Sequence, residues 1–144
     1  MTTVYPHPVH HFQVEAGFTR VAFSRVQLPT LERDVIRYRD GSDPAETMRK
    51  LPGLLTVGDC VLERGVVPSD TEFFAWLNTA RVGTVERRDL VVKLLDASHQ
   101  PVLVWHLRNT FPVALEWSVL DAQLSAVQIE RLRISVESMD VQSA

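Results

Sequence analysis

The sequence has very little cysteine and lysine, and it contains no long apolar run. Its 144 residues include a single cysteine, Cys60, which excludes an internal disulfide and is typical of a reducing compartment. No apolar run approaches the roughly 18 residues that a membrane-spanning helix needs, so we expect no stable membrane anchor. The first residues, MTTVYPHPVHH, lack the basic and apolar regions of a signal peptide, so we expect synthesis in the cytoplasm.

Because lysine is scarce, arginine supplies nearly all the positive charge of the chain. Of the 15 cationic residues, 13 are arginine and two are lysine, while the formal net charge is -3. A strongly basic nucleic-acid-binding protein would have the opposite sign, so we expect no sequence-specific nucleic-acid partner. The planar arginine side chain suits carboxylate pairing at interfaces, although genome base composition explains the same bias.

Apolar and β-branched residues make up much of what is present. Hydrophobic residues are 45% and charged residues 23% of the chain, which excludes wholesale disorder. The 21 valines favour a pleated sheet, where β-branched side chains pack well. The length corresponds to a single domain covering residues 1–144.

Alternating apolar and polar residues between turn signals predict seven or eight strands. The predicted strands are residues 12–16, 19–28, 31–39, 54–64, 89–96, 102–108, 111–115 and 131–137. Gly58 is expected to mark a bulge or a close approach, and Pro112 an edge strand. Residues 40–44 are a dense turn signal, and residues 45–52 follow as a weak helix or a long excursion.

One helix is predicted after Pro68. Ser69 and Glu72 have the spacing of a capping box, and Gly83 is placed to end the helix. The apolar stripe that follows has helical spacing and consists of Phe73, Trp76, Leu77 and Ala80. The sequence therefore predicts a mainly β barrel or sandwich of antiparallel strands with one flanking α-helix.

Motifs of the common nucleotide-binding, metal-binding and hydrolytic sites are missing. The sequence contains no GxGxxG, GxxxxGK[ST], HExxH, CxxC or GxSxG pattern. We therefore expect no enzyme activity, no catalytic residues and no cofactor.

The histidines are the residues that come closest to a metal site. His7, His10 and His11 stand near the terminus without a cysteine or carboxylate at ligand spacing, which favours a terminal arm, residues 1–8, over a metal centre. His99 lies in a turn near Asp96, whereas a Ser-His-Asp relay needs groups that converge from different segments. We therefore expect no metal ion.

Two further features are open to a chemical interpretation. Cys60 lies in an apolar strand, so a small buried hydrophobic residue is its default interpretation. Asp34, Asp40, Asp43 and Glu46 lack the order of a calcium loop and are expected at a solvated rim or in salt bridges. A small β-barrel enzyme or ligand-binding module would have to use these carboxylates or two of the histidines, His99 and His106.

Six short strings occur in an order and spacing found in a known family. They are FSRV at 23–26, DVIRYRDG at 34–41, RKLPG at 49–53, LERGV at 62–66, FFAWL at 73–77 and NTFPV at 109–113. Together they resemble the tail tube proteins of contractile phages, and more closely the inner-tube proteins of phage-tail-like contractile injection systems. The resemblance covers roughly residues 5–141.

The resemblance implies a structural subunit of the inner tube of a phage tail or a phage-tail-like particle. Such subunits form stacked hexameric rings around a lumen that can hold cargo, and contraction of the surrounding sheath drives the tube through a target membrane. The implied partners are further copies of the chain, a sheath protein, and spike, hub and baseplate proteins.

The resemblance also implies where subunits meet. Residues 41–53 correspond to an extended loop between stacked rings. The candidate interface residues are Asp43, Glu46, Arg49, Lys50, Leu51, Pro52 and Gly53, together with Gln27, Leu28 and Pro29. Residues 27–29 stand where the family usually has Ser-Gly-Leu. Residues 123–128 lack the polar Ser-Asn-Glu run that the family has before the last strand. These departures keep open a variant function as an adaptor ring that joins the tube end to the spike hub.

Overall fold

The computed structural model describes residues 5–18, 22–79 and 85–144. Within these residues the chain forms nine strands and one helix. In chain order they are β1 (Phe12–Glu15), β2 (Arg25–Gln27), β3 (Leu31–Tyr38), β4 (Arg49–Val57), β5 (Cys60–Gly65), α1 (Glu72–Asn78), β6 (Arg88–Leu95), β7 (Pro101–Trp117), β8 (Ile129–Ser135) and β9 (Ser138–Ser143). The mainly β architecture with one helix confirms the predicted fold class.

The long strand β7 organises the larger sheet. Its first half pairs with β6 on one side and β9 on the other, and its second half pairs with β8. Strand β1 extends the sheet beyond β6, while β5 and then β2 extend it beyond β8. Because β7 is shared, the seven strands form two joined parts, β1-β6-β7-β9 and β7-β8-β5-β2, and every pairing is antiparallel.

One hydrophobic core joins both parts of this sheet to the helix. Alternation along the strands turns every second side chain inward, so apolar residues from each strand meet there. The fully buried members from the sheet include Val14, Cys60, Leu62, Leu90, Leu107, Leu132 and Ile134. Phe73 and Trp76 contribute the buried side of α1, which confirms the apolar helix stripe for these two positions. Leu77 is half-buried, and Ala80 lies outside the described residues.

The start of α1 differs from the predicted capping box. Thr71 is the N-cap residue, and no side chain caps the helix there. Asp70 Oδ1 instead accepts a hydrogen bond of 3.1 Å from the backbone amide of Glu72. The prediction placed Ser69 at the cap because the spacing to Glu72 fits, but the helix begins two residues later. The predicted terminator, Gly83, lies outside the described residues.

A buried ion group ties α1 to the sheet. Arg64 on β5 is 1% exposed, and its Nε donates a hydrogen bond of 2.6 Å to Glu130 Oε1 on β8. Its Nη2 lies 3.5 Å from Asp70 Oδ1, and its guanidinium is 3.9 Å from the centre of the Phe73 ring. Removing this arginine would therefore leave buried carboxylate charge behind. Sequence reasoning missed it, because charged residues on a strand are usually solvated.

Several strand boundaries differ from the predictions. The strand predicted over 19–28 is reduced to Arg25–Gln27 among the described residues, and positions 19–21 lie outside them. The strand predicted over 54–64 is two strands, β4 and β5, separated at Gly58. This glycine is a point of close approach, as expected, because its amide donates to Thr30 O at 2.8 Å and a side chain would crowd that backbone.

The segments predicted as two strands around Asn109 form one continuous β7. Asn109 adopts a φ of 52°, a conformation that asparagine tolerates, and so bends the strand without ending it. Pro112 is buried opposite Ile134 of β8, and residues 111–117 pair on that side only among the described residues. The edge position expected for Pro112 is therefore confirmed, but the separate strand predicted over residues 111–115 is wrong, because these residues are part of β7. Strand β9 was not predicted.

Candidate assembly interface

Strands β3 and β4 form a hairpin, residues 31–57, that belongs to no other sheet among the described residues. All eight residues of β3 are exposed, as are most residues of β4. A two-stranded hairpin is marginally stable on its own in water. Apart from Val57 at its base, which packs against the core, its large apolar side chains are exposed among the described residues. This exposure makes the hairpin the leading candidate for an interface.

The two faces of the hairpin differ in charge. Alternation along β3 places Leu31, Arg33, Val35 and Arg37 on one side. The residues directly opposite them in register include Leu55, Pro52 and Lys50. This cationic face, which consists of these seven residues, combines apolar side chains with three positive charges and no negative one. The other face presents Ile36, Tyr38 and Leu51 together with two negative charges, Glu32 and Asp34, and one positive charge, Arg49.

The connection between β3 and β4 is ordered by its own hydrogen bonds. Arg39 Nε donates to Ala45 O at 2.9 Å, and Arg49 Nη2 lies 3.2 Å from Asp43 Oδ1. Residues 41–53 were expected to form an extended loop, but residues 49–53 belong to β4 and only 39–48 connect the strands. The loop prediction failed because this strand carries a proline and a glycine, Pro52 and Gly53, and lacks alternation.

The interface candidates therefore divide into two groups. Asp43, Glu46, Arg49, Lys50, Leu51, Pro52 and Gly53 all lie in the hairpin and its connection. Gln27 ends β2 and is exposed, whereas Leu28 packs against the core and Pro29 is buried. Burial argues against a direct interface role for Leu28 and Pro29 and favours a role at the base of the hairpin.

A ladder of alternating charges crosses the polar face of the β2-β5-β8-β7 part. Arg25, Glu63, Arg131 and Glu116 stand directly opposite one another in successive strands. Glu63 pairs with both arginines, and Arg131 also lies 3.7 Å from Glu116. Each charge is thus balanced by a neighbour of opposite sign on the next strand.

Strand edges are a second kind of candidate contact. Within the described residues, β1, β2 and β9 each pair on one side only, as does the second half of β7. Unpaired backbone N–H and C=O groups along such an edge are a template for pairing with another chain. The fold therefore offers both an unattached hairpin and open edges to a second protein.

An apolar loop that the sequence analysis did not single out as a surface lies between β7 and β8. In this end loop, residues 118–128, four apolar side chains are exposed: Val119, Leu120, Leu124 and Val127. Trp117, the last residue of β7, is half-exposed beside it. Residues 123–128 lack the polar run of the family, which is the signal for this loop in the sequence, but the exposure of its apolar side chains could not be predicted.

The histidines do not assemble into a catalytic arrangement. The ring centres of His10 and His11 are 4.4 Å apart, and those of His11 and His99 are 5.1 Å apart. Asp96 Oδ1 accepts hydrogen bonds from two backbone amides of its own turn, those of Ser98 and Gln100. His106 lies inside β7, paired with Val91 of β6, and not in the turn that holds His99.

No group of three or more histidine, cysteine or carboxylate side chains that could hold a metal ion occurs in residues 5–18, 22–79 and 85–144. Of the four carboxylates from the sequence analysis, Asp34 lies on β3 and Asp40, Asp43 and Glu46 lie in the connection. Burial raises the pKa of the Cys60 thiol to about 12, with a smaller contribution from Asp59. The thiol is therefore protonated, and unreactive, near neutral pH.

These surfaces define a β-rich assembly subunit, and comparison with known proteins identifies its family. Residues 8–140 match the model of the T4-like virus tail tube protein gp19 family. The chain belongs to this family, as its sequence motifs predicted. A search of curated proteins returns no match.

Solved structures give the same result. A chain in the anti-feeding prophage tube-terminating cap superposes with a TM-score of 0.90 at 25% identity, covering 100% of this chain and 95% of that one. A chain in the sheath-tube complex of the extracellular contractile injection system PVC has a TM-score of 0.88 at 28% identity, over 97% and 93% of the two chains.

A chain in the PVC sheath/tube terminator has a TM-score of 0.89 at 27% identity, over 99% of this chain and 100% of that one. The protein is thus homologous to tube and tube-terminator proteins of contractile injection systems, which are structural proteins. No helix among the described residues is long and apolar enough to cross a membrane.

Proposed function

We propose that the chain is a subunit of the inner tube of a contractile tail or injection system and forms hexameric rings that stack around a lumen. The observation that carries the proposal is the hairpin of residues 31–57, whose apolar side chains are exposed on both faces. Such a hairpin gains its packing only when another chain covers it. Open strand edges supply the second contact that a ring requires.

The partners follow from the same surfaces and from the relatives. Copies of the chain would pair through strand edges within a ring and through the hairpin between rings. Sheath, spike, hub and baseplate proteins are the further proposed partners, because the similar structures include a sheath-tube complex and a sheath/tube terminator. The assembled tube would act mechanically, driven through a target membrane by sheath contraction, with no catalytic step and no cofactor.

A charge reversal in the hairpin tests the stacking role. Arg49 is held by Asp43, so changing it would also loosen the connection between the strands. Lys50 lies on the cationic face, so Lys50→Glu is the cleaner variant. We expect the purified variant to keep its fold and its rings but to lose tubes in electron microscopy, because the reversed charge opposes docking.

The matched control reverses the charge of the other lysine, Lys93 on β6. Because Lys93 Nζ lies 2.9 Å from Glu15 Oε1, Lys93→Glu is combined with Glu15→Lys so that this ion pair is kept. This variant should still form tubes. Normal tubes from Lys50→Glu would overturn the stacking role of the hairpin, and a strictly monomeric wild-type protein at high concentration would overturn the proposed function itself.

A terminal adaptor ring is the second candidate function. It is favoured by residues 27–29, where Pro29 is buried at the base of the hairpin, and by the similarity to a tube-terminating cap. An adaptor would form single rings that do not stack on themselves and would bind a hub protein at the tube end. Gold labelling of intact particles separates the two, because label along the whole tube removes the adaptor function.

A further inference from the structure

The polar face of the β2-β5-β8-β7 part carries many charges and little exposed apolar surface. Next to the charge ladder runs a second row of residues in register, so that this ladder face consists of Arg25, Glu63, Arg131 and Glu116 with Gln27, Val61, Arg133 and Ala114. Its two apolar residues, Val61 and Ala114, are only half-exposed. Because the centres of protein interfaces are depleted in charged residues, such a face suits contact with water better than a docked protein.

The charges of the ladder face are balanced within one chain. Each of its three arginines pairs with a carboxylate of the same chain. Arg131 Nη1 lies 3.7 Å from Glu116 Oε2, and Arg133 Nε lies 3.6 Å from Asp59 Oδ2, just before β5. Three cations therefore face three carboxylates, which are Glu63, Glu116 and Asp59, and neither sign dominates the surface.

The same part of the sheet has an open edge on each side. Within the described residues these edges are β2 and the second half of β7. In the proposed ring, β2 of one copy would pair with β7 of the next, and six copies would close a sheet of about 24 strands. With strands about 4.8 Å apart, the closed sheet would be roughly 37 Å across, or about 48 Å with tilted strands.

This diameter decides which way the ladder face points. The core lies against the opposite face of the sheet, where Leu62, Leu132 and Ile134 are buried together with residues of the other part and of α1. A second layer of sheet packs about 10 Å from the first. Six such layers inside the closed sheet would leave little room for a lumen. The core therefore belongs outside the closed sheet, and the ladder face points inward.

The β1-β6-β7-β9 part also has two open edges, at β1 and β9, but it is less suited to line a lumen. The arm that leads into β1 is exposed at every residue from 5 to 10. A lumen lined by this part would have to accommodate the arms of six copies.

We propose that the ladder face lines the lumen, and that its internal ion pairs leave the lumen without a dominant charge. The inference rests on the proposed function, since it names the surface that cargo would meet. A channel lined by one sign of charge concentrates molecules of the opposite sign and repels those of the same sign. A balanced lumen instead admits protein cargo of either net charge, and retains it by fit rather than by Coulombic attraction.

Thiol labelling of assembled tubes tests the orientation. Arg133→Cys places a thiol on the ladder face, and Lys93→Cys is the matched control, because each replaces a partly exposed, paired cation on an inner strand. The maleimide is supplied either free or coupled to a gold particle wider than the lumen. We expect free maleimide to label both variants in tubes and the gold particle to label only Lys93→Cys. The native Cys60 is fully buried and does not interfere.

The outcomes separate the inference from the proposed function. Gold along the wall of Arg133→Cys tubes, or failure of free maleimide to reach this thiol, would overturn the inference and leave the tube function standing. Wild-type protein that forms no tubes would overturn both. If Arg133→Cys prevents assembly, Ala114→Cys supplies a thiol in the same row with every ion pair kept.

A pair of charged reagents tests the balance of charge. Tubes of Ala114→Cys are labelled with a cationic and an anionic maleimide of equal size, and each rate is divided by the rate on dissociated subunits. We expect the two ratios to agree within about threefold, because no net charge acts on either reagent. Adding Asp59→Asn gives each copy one unbalanced positive charge, so the cationic reagent should then react more slowly than the anionic one. Ratios that differ by more than about threefold without Asp59→Asn would overturn the balanced lumen.

Discussion

At the residue scale, Arg64 shows how a charged side chain can belong to the core. Its guanidinium lies against Phe73 while its donors reach carboxylates on β8 and ahead of α1. Removing both members of a buried ion pair is often tolerated, but removing one leaves an uncompensated charge in a medium of low polarity. Arg64 therefore connects β5, β8 and α1. Its contribution to stability becomes evident when Arg64 alone is replaced.

This linkage predicts a specific pattern of stability. Arg64→Met should lower the free energy of unfolding by about 3–5 kcal/mol, because the buried Glu130 loses the guanidinium that donates to it. The double variant Arg64→Met with Glu130→Leu should recover much of the loss. Urea denaturation measures both effects.

Arg133→Met is the control for this series, because Arg133 pairs with Asp59 at the surface at 3.6 Å. An exposed pair of this kind contributes about 1 kcal/mol or less. Equal losses from Arg64→Met and Arg133→Met would show that burial of the pair does not matter.

At the element scale, the hairpin is separable from the core. The base is fixed by Gly58 N donating to Thr30 O, and of the two strands beyond it only Val57, at the base, packs against the core. Its contribution to the stability of a single chain should therefore be small, and its contribution to assembly large.

Shortening the hairpin tests this separation. Glu32 and Thr56 stand directly opposite each other, so an Asn-Gly turn can replace residues 33–55 without shifting the register. We expect the free energy of unfolding to change by less than about 1 kcal/mol. Tubes should disappear in electron microscopy, whereas loss of the folded state would show that the hairpin is part of the core.

The sequence predicted the strands with clean alternation and missed those defined by tertiary contacts. Residues 131–137 alternate strictly and β8 lies there, and the turn at Ser98–Gln100 joins β6 to β7 as expected. Strand β4 contains Pro52 and Gly53, which usually interrupt a strand. It forms because it pairs with β3 in the exposed hairpin. Strand β9 depends on the first half of β7, and short local patterns cannot reveal such a distant partner.

The interface role of the hairpin residues stays a prediction that the family resemblance supplies. The pairing that gives the hairpin a cationic face depends on the register between β3 and β4, which the sequence does not reveal. The sequence marked residues 123–128 of the end loop only as a departure from the family's polar run. The hydrogen bonds between Ser118 and Gln128, which close the loop at its base, are not encoded by any periodicity.

At the scale of the whole molecule, the fold leaves its contact surfaces uncovered until other copies arrive. The core is formed by one chain alone, but the hairpin, the end loop and several strand edges face solvent in that state. Assembly should therefore shield these parts from solvent and from proteases without changing the rest of the fold.

Limited proteolysis reports this protection. Trypsin should cut the isolated subunit after the cations of the hairpin, which are Arg33, Arg37, Arg39, Arg49 and Lys50. In assembled tubes these cuts should slow strongly, because a covered backbone cannot enter the protease. Mass spectrometry of the fragments measures the change, and equal cleavage before and after assembly would contradict a buried hairpin.

The shared strand β7 has a mechanical consequence. Its backbone hydrogen bonds to β6, β9 and β8 lie perpendicular to its length. A load applied along β7 therefore shears these bonds together, and none can open before the others as in a zipper. Since the strand passes through both parts of the sheet, it transmits force from one part to the other.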